Sequence, residues 1–230
     1  MVHFVGAGPG APDLITVRGK QYLEEADVII YAGSLVNPQL LEYSKDVCTI
    51  HNSAKMTLEE VISVMERAEK EGKMTVRLHT GDPCIYGAIR EQMDILDEKG
   101  IPYDSCPGVS AFCGAASALN LEYTLPDISQ SVIITRMEGR TPMPPKEKLR
   151  DLAKHNSTMI IFLSVGMIEQ LADTLKEEYR EDTPVAVVYK ASWEDQKIVI
   201  GNLTNIAQKV KEAGITKTAL TVVGDFLGDE

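Results

Sequence analysis

Val2-His3-Phe4-Val5-Gly6-Ala7-Gly8-Pro9-Gly10-Ala11-Pro12 follows the initial Met1, and the reading of the whole chain turns on it. Val2 to Val5 is short, apolar and β-prone, which predicts a buried strand. Gly6 to Gly10 then predicts a turn that brings bare backbone close to a partner, since glycine has no Cβ to hold it off. Gly6, Gly8 and Ala11 also satisfy GxGxx[G/A], the dinucleotide fingerprint. Two features oppose that reading. The fingerprint loop opens directly into a helix whose first amides meet a pyrophosphate, but here Pro9 and Pro12 occupy the turn, each lacking an N–H. The second strand should also end near an acidic residue for the ribose, and Val28 to Tyr31 runs instead into Ala32-Gly33-Ser34. A nicotinamide or flavin oxidoreductase is therefore disfavoured.

Two more loops share the style. Thr80-Gly81-Asp82-Pro83 follows a strand predicted over 74–78, and Pro107-Gly108-Val109-Ser110 follows one near Tyr103. In open α/β sheets, ligands sit beyond the carboxyl ends of the strands. Three Gly/Pro loops at three strand ends thus predict one cleft with backbone-lined walls, suited to a ligand read by shape and amide hydrogen bonds. Between the loops, helices are predicted over 17–25, 57–71, 88–99 and up to Leu119. Thr57 and Glu60 form a capping-box pattern. The second half predicts strands at 131–136, 159–163, 184–189, 197–200 and 219–223, with helices at 167–179 and 202–213. Strands alternating with helices argue for α/β architecture. Pro126 interrupts the pattern and places a boundary between a domain of residues 1–120 and one of residues 121–230.

The chain has 230 residues and a formal charge of −11. That balance argues against duplex nucleic acid and anionic membranes as partners, because phosphate contacts need clustered Lys and Arg. No run approaches the ~20 apolar residues of a membrane helix, and the start lacks a signal-peptide layout, so a cytoplasmic location is expected. Cys48, Cys84, Cys106 and Cys113 include no CxxC pair, so no metal site is expected and the thiols read as reduced. His3, His51, His79 and His155 are scattered and read as structural. Inside the acidic chain, Arg136, Arg140, Lys146, Lys148 and Arg150 face only Glu138 and Glu147 between residues 128 and 150. Guanidinium groups bind carboxylates bidentately, so Arg136 and Arg140 are candidates for an anionic substrate. Arg18 and Arg77 are further candidates. A module that binds a metabolite without chemistry would be compatible with the loops alone.

Taken together, Val5-Gly6-Ala7-Gly8-Pro9-Gly10-Ala11-Pro12-Asp13-Leu14-Ile15-Thr16, Gly81-Asp82-Pro83-Cys84-Ile85-Tyr86-Gly87 and Pro107-Gly108-Val109-Ser110 resemble, in order and spacing, the S-adenosylmethionine-dependent tetrapyrrole methyltransferases of cobalamin and siroheme biosynthesis. The resemblance runs to the closing Thr218-Ala219-Leu220-Thr221-Val222-Val223-Gly224. It implies two α/β domains with the cofactor, S-adenosyl-L-methionine, held between them, and S-adenosyl-L-homocysteine as product. It also implies a homodimer and transfer of a methyl group to a ring carbon of a tetrapyrrole bearing several carboxylates. Carried over by position, the cofactor wall comprises Pro9, Gly81, Asp82, Ile85, Ser110, Ala111, Ala191 and Ala219. Tyr86, Arg136 and Arg140 would face the substrate. Where relatives often have Met-Gly, this chain reads Leu163-Ser164-Val165-Gly166, so no contact is assigned there. No catalytic acid or base is implied, since the methyl donor arrives activated. Asp82 also reads as a turn residue bonding to its own backbone.

Overall fold

The computed structural model describes residues 1–228, and the chain divides into two compact units, Met1–Cys113 and Gly114–Glu230. Each has one five-stranded sheet.

In the first unit the strands are β1 (Val2–Gly6), β2 (Val28–Tyr31), β3 (Thr49–Asn52), β4 (Thr75–His79) and β5 (Tyr103–Cys106). All are parallel, in the order β3-β2-β4-β1-β5. The helices are α1 (Val17–Glu25), α2 (Leu58–Lys70) and α3 (Arg90–Lys99), and α4 (Ala111–Leu119) spans the division between the units. Side chains alternate across the sheet, so each face has its own core. Val2, Phe4, Val28 and Ile30 meet Val61, Ile62 and Met65 of α2 and Leu96 of α3 on one face. Val5, Ile29, Val76 and Leu78 meet Leu23 of α1, Val36 and Leu40 on the other. An interior parallel strand is buried on both faces, as β1 is along its whole length.

Helix ends follow the local chemistry. The Thr57 hydroxyl accepts from the Glu60 amide, and the Glu60 carboxylate accepts from the Thr57 amide, completing the expected capping box. The Thr16 hydroxyl caps α1 through the Gly19 amide at 3.0 Å. Gly100 ends α3 in the left-handed region, at φ 65°, where a Cβ is unfavourable.

The second unit contains β6 (Val132–Arg136), β7 (Thr158–Phe162), β8 (Pro184–Tyr189), β9 (Lys197–Asn202) and β10 (Ala219–Val223). The order is β6-β7-β10-β8-β9, with only β6 and β7 parallel. The topology follows the connections. A crossover containing α5 (Leu149–Ala153) allows the parallel pair, whereas β8 and β9 are joined too tightly for one. Helices α6 (Ile168–Lys176) and α7 (Ile206–Glu212) complete a core of Met159, Ile161, Leu171, Leu175, Val185, Ile206 and Val223.

Differences from the sequence reading are local. Strand β3 is polar and largely exposed; its place is set by pairing with β2, not by an apolar signal. Helix α5 is too short to show a period. Strand β9 runs on to Asn202, so α7 begins only at Ile206. Residues 165–167 form a 3-10 turn ahead of α6, and the α-helix stops at Lys176, short of Tyr179.

Candidate active site

Strands β4, β1 and β5 are neighbours and parallel, so the three Gly/Pro loops leave the sheet from adjacent positions on one edge. Their backbones interlock. The Gly8 amide donates to Gly81 O at 3.2 Å and the Gly81 amide to Gly8 O at 2.8 Å, an isolated antiparallel bridge beyond the parallel strands. The Ala7 amide donates to His79 O at 2.7 Å. A Cβ on Gly6 would lie 2.5 Å from Gly108 Cα and 2.6 Å from Gly81 O. One on Gly108 would lie 2.7 Å from Gly6 Cα and collide with Gly81 O. Gly6 and Gly108 are therefore required by the meeting of three backbone segments, and Gly81, at φ 59°, by its conformation as well. The first loop does not open into a helix: Pro12–Leu14 forms a 3-10 turn and α1 begins only at Val17.

Asp82 pins this assembly. Its Oδ1 accepts from the Cys84 amide at 2.7 Å, and its Oδ2 accepts from the Gly108 amide at 2.9 Å. Burial alone would raise its pKa; the hydrogen bonds from the Cys84 side chain and amide and from the Gly108 amide outweigh that and hold the carboxyl below its usual range. The turn-residue reading and the site reading of Asp82 thus describe one geometry. Thr16 Oγ1 approaches Cys106 Sγ at 3.6 Å, tying the end of the first loop to β5. Asn37 Nδ2 donates to Gly10 O at 3.0 Å and brings in the segment after β2.

The structure thus gathers Pro9, Gly81, Asp82, Ser110 and Ala111 at one edge of the first sheet. Pro9 and Ser110 are buried, and the Cα of Ser110 and the amide of Ala111 would lie 3.5 and 3.3 Å from a Cβ on Gly81. Ile85 closes a turn onto Asp82 O at 3.4 Å. Tyr86 follows, 45% exposed and at φ 55°, and Ala88 lies at φ 50°. Nothing in the spacing of 84–89 announces two non-glycine residues in the left-handed region; only Gly87 between them hints at an unusual path.

In the second unit, register alone places the candidates. Arg136 pairs with Phe162, Ala219 with Tyr189, and Tyr189 with Lys197, so these residues mark one edge of the sheet. The same edge holds Leu163, Lys190, Ser192 and Thr218, all at positive φ, and the Lys190 amide donates to Thr218 O at 3.1 Å. Ala191 lies buried among them. Such a cluster of strained residues is characteristic of ligand-binding edges. At the unassigned Leu163-Ser164 position, Leu163 is 70% exposed. Ser164 is fully buried; its Oγ donates to Phe162 O and accepts from the Met137 amide.

Arg136 and Arg140 fare differently. Arg136 directs Nη1 to Met137 O and Thr141 O, both at 3.1 Å, and Nη2 to Pro142 O at 3.2 Å, so its guanidinium shapes its own loop. Arg140 is exposed on that loop and makes no hydrogen bond or ion pair among the described residues. Arg150 pairs with Glu177 at 2.8 Å. Arg77, on β4 of the first sheet, is buried and cannot meet a substrate carboxylate at the surface. Among the described residues no cluster of His, Cys, Asp and Glu could hold a metal ion, and no helix is long and apolar enough to cross a membrane.

Residues 1–207 match the model of the tetrapyrrole (corrin/porphyrin) methylases, and the chain belongs to that family. It is 63% identical over 227 residues to the cobalt-precorrin-4 C(11)-methyltransferase of Methanocaldococcus jannaschii, covering 98% of this chain and 88% of that relative. An X-ray structure of a cobalamin biosynthetic enzyme, cobalt precorrin-4 methyltransferase, is 46% identical with a TM-score of 0.96, covering 98% of this chain and 95% of that one. The uroporphyrin-III C-methyl transferase of Thermus thermophilus, complexed with S-adenosylhomocysteine, is 26% identical with a TM-score of 0.81, covering 98% of each chain. The doubly α/β architecture expected from the sequence is that of these structures.

Proposed function

We propose that the chain transfers a methyl group from S-adenosyl-L-methionine to C11 of precorrin-4 or cobalt-precorrin-4, in the building of the corrin ring of cobalamin. The observation that carries this reading is identity at well over half of all positions to a relative so named, sustained along nearly the whole chain. Tyr31-Ala32-Gly33-Ser34-Leu35-Val36, Cys106-Pro107-Gly108-Val109-Ser110-Ala111-Phe112, Thr135-Arg136 and Gly139-Arg140 support the same branch over uroporphyrinogen-III C-methylation.

The residues present fit the methyl donor. The Gly6, Gly81 and Gly108 backbones meet with no room for a Cβ, and the Asp82 carboxylate links the second loop to the third. Pro9, Gly81, Asp82, Ile85, Ser110, Ala111, Ala191 and Ala219 are the residues proposed to hold the cofactor. When bound, the sulfonium supplies an activated methyl group, so the chain's task is orientation and exclusion of water. Rigid positioning of reacting atoms can account for ~7–11 kcal/mol of a barrier. Asp82 serves that rigidity by bonding two loops at once. Arg140 offers an unengaged guanidinium to a substrate carboxylate, Arg136 orders the loop that presents it, and Tyr86 lies against the tetrapyrrole. We place the enzyme in the cytoplasm and read it as a homodimer.

Calorimetry with S-adenosylhomocysteine and with NAD is the first test; micromolar binding of the former only is expected, and its failure overturns the reading. Labelled donor with precorrin-4, with and without cobalt, should then give a product methylated at C11. Methylation at another carbon refutes the regiochemistry, and binding without any transfer favours a non-catalytic module. Arg140→Ala should raise KM for the tetrapyrrole several-fold with unchanged cofactor affinity.

A further inference from the structure

On the face of the first sheet that meets α2 and α3, β4 presents an arginine. Arg77 is 7% exposed, its strand neighbours in register are Phe4 and Ile30, and among the described residues no carboxylate pairs with it. Burying a guanidinium without a counter-ion is costly, so its hydrogen bonds are informative. Nη1 donates to Ile30 O at 3.2 Å, and Nε donates to Gln92 Oε1 at 3.1 Å. Gln92 is itself 5% exposed, and its Nε2 donates onward to Ala88 O at 3.0 Å. The Gln92 amide can accept from a cation at its oxygen and donate to a carbonyl from its nitrogen.

The chain of bonds ends on a strained segment. Ala88 and Tyr86 both lie in the left-handed region, which costs an L-residue roughly 1–2 kcal/mol each. Gly87 between them packs so closely on Pro83 that a Cβ would collide with its carbonyl oxygen. Such strain persists only where surroundings impose it.

We infer that Gln92, oriented by Arg77, is a positioning residue that holds the 84–89 segment in its strained path and thereby sets the placement of Tyr86 for the tetrapyrrole. This rests on the proposed methyltransferase reading. Gln92 itself is buried, and the role assigned to it is exerted through Ala88 rather than by contact with substrate or cofactor.

Gln92→Glu separates this role from simple packing. Ionised beside Arg77, the glutamate keeps an acceptor for Nε but cannot donate to Ala88 O. The expected result is a melting temperature no lower than the parent's, KM for the tetrapyrrole raised about fivefold, as for one lost buried hydrogen bond, and unchanged affinity for S-adenosylhomocysteine. Hydrogen exchange of the 85–89 amides should quicken by a similar factor. Should the new carboxylate prevent folding, Gln92→Met keeps the volume, loses both bonds and carries the same KM and exchange predictions. Unchanged KM and unchanged exchange overturn the inference, as does a loss of cofactor affinity equal to the rise in KM. If the parent enzyme shows no methyl transfer, the functional reading fails while the exchange result still decides the role of Gln92.

Discussion

At the scale of single residues, neighbours decide what a side chain does. His79 ends β4 two residues after Arg77 and shares its face of the sheet. Burial, and secondarily the Arg77 cation, push its pKa down to about 3, and its Nε2 has no hydrogen-bond partner among the described residues. An unfolded histidine titrates near ~6.5. Between those values the unfolded chain binds a proton that the folded chain refuses, so stability falls as pH falls from about 6.5 towards 3, by ~1.4 kcal/mol per pH unit. His79→Phe should therefore remove roughly 2 kcal/mol of the loss between pH 6.5 and 5, measured by urea unfolding followed by circular dichroism. An unaltered pH slope would show that His79 is protonated in the fold. Asp82 and Arg136 teach the same lesson. Their residue types were visible as candidates, but that Asp82 bonds the Cys84 and Gly108 amides, and Arg136 three carbonyls of its own loop, depends on distant or turned-back backbone that spacing does not reveal.

Secondary-structure elements were readable in proportion to their apolar period. Strands β1, β2, β4, β8 and β10 are continuous buried runs, and α2 has both a capping box and an apolar stripe. Strand β3 exposes most of its side chains, and α5 has barely more than one turn; both exist because neighbouring elements hold them. The three loops form a single element in all but sequence. Adding one methyl group tests this: Gly108→Ala forces the Gly6 and Gly81 backbones apart. Overpacking of this kind costs about 1–3 kcal/mol or more. Affinity for S-adenosylhomocysteine should fall at least tenfold by calorimetry, together with the melting temperature. Parental affinity in Gly108→Ala would mean that the loops do not act as one.

For the molecule as a whole, the charge of −11 describes a mixed surface and says little about any one site, since Arg140 stands unpaired among the described residues. The thiols report on the fold more directly. Cys84 and Cys113 are exposed, Cys48 is half-buried with its thiol pKa raised by burial, and Cys106 is buried at the end of β5. A disulfide reagent at pH 8 should modify exposed Cys113 first in the folded protein, then Cys84, whose thiol pKa is pushed up by its hydrogen bond to Asp82, then Cys48 more slowly, and Cys106 only after denaturation. Reaction of Cys106 as fast as Cys84 would contradict the packing of β5. The sequence by itself determined the α/β class, the three loops and the family, because apolar periodicity, glycine and proline act locally and the motifs are contiguous. Only the tertiary structure decided the mixed order of the second sheet, the double bond of Asp82 and the path from Arg77 through Gln92 to Ala88. Those depend on residues far apart in the chain, and long-range pairing leaves no local trace in composition or spacing.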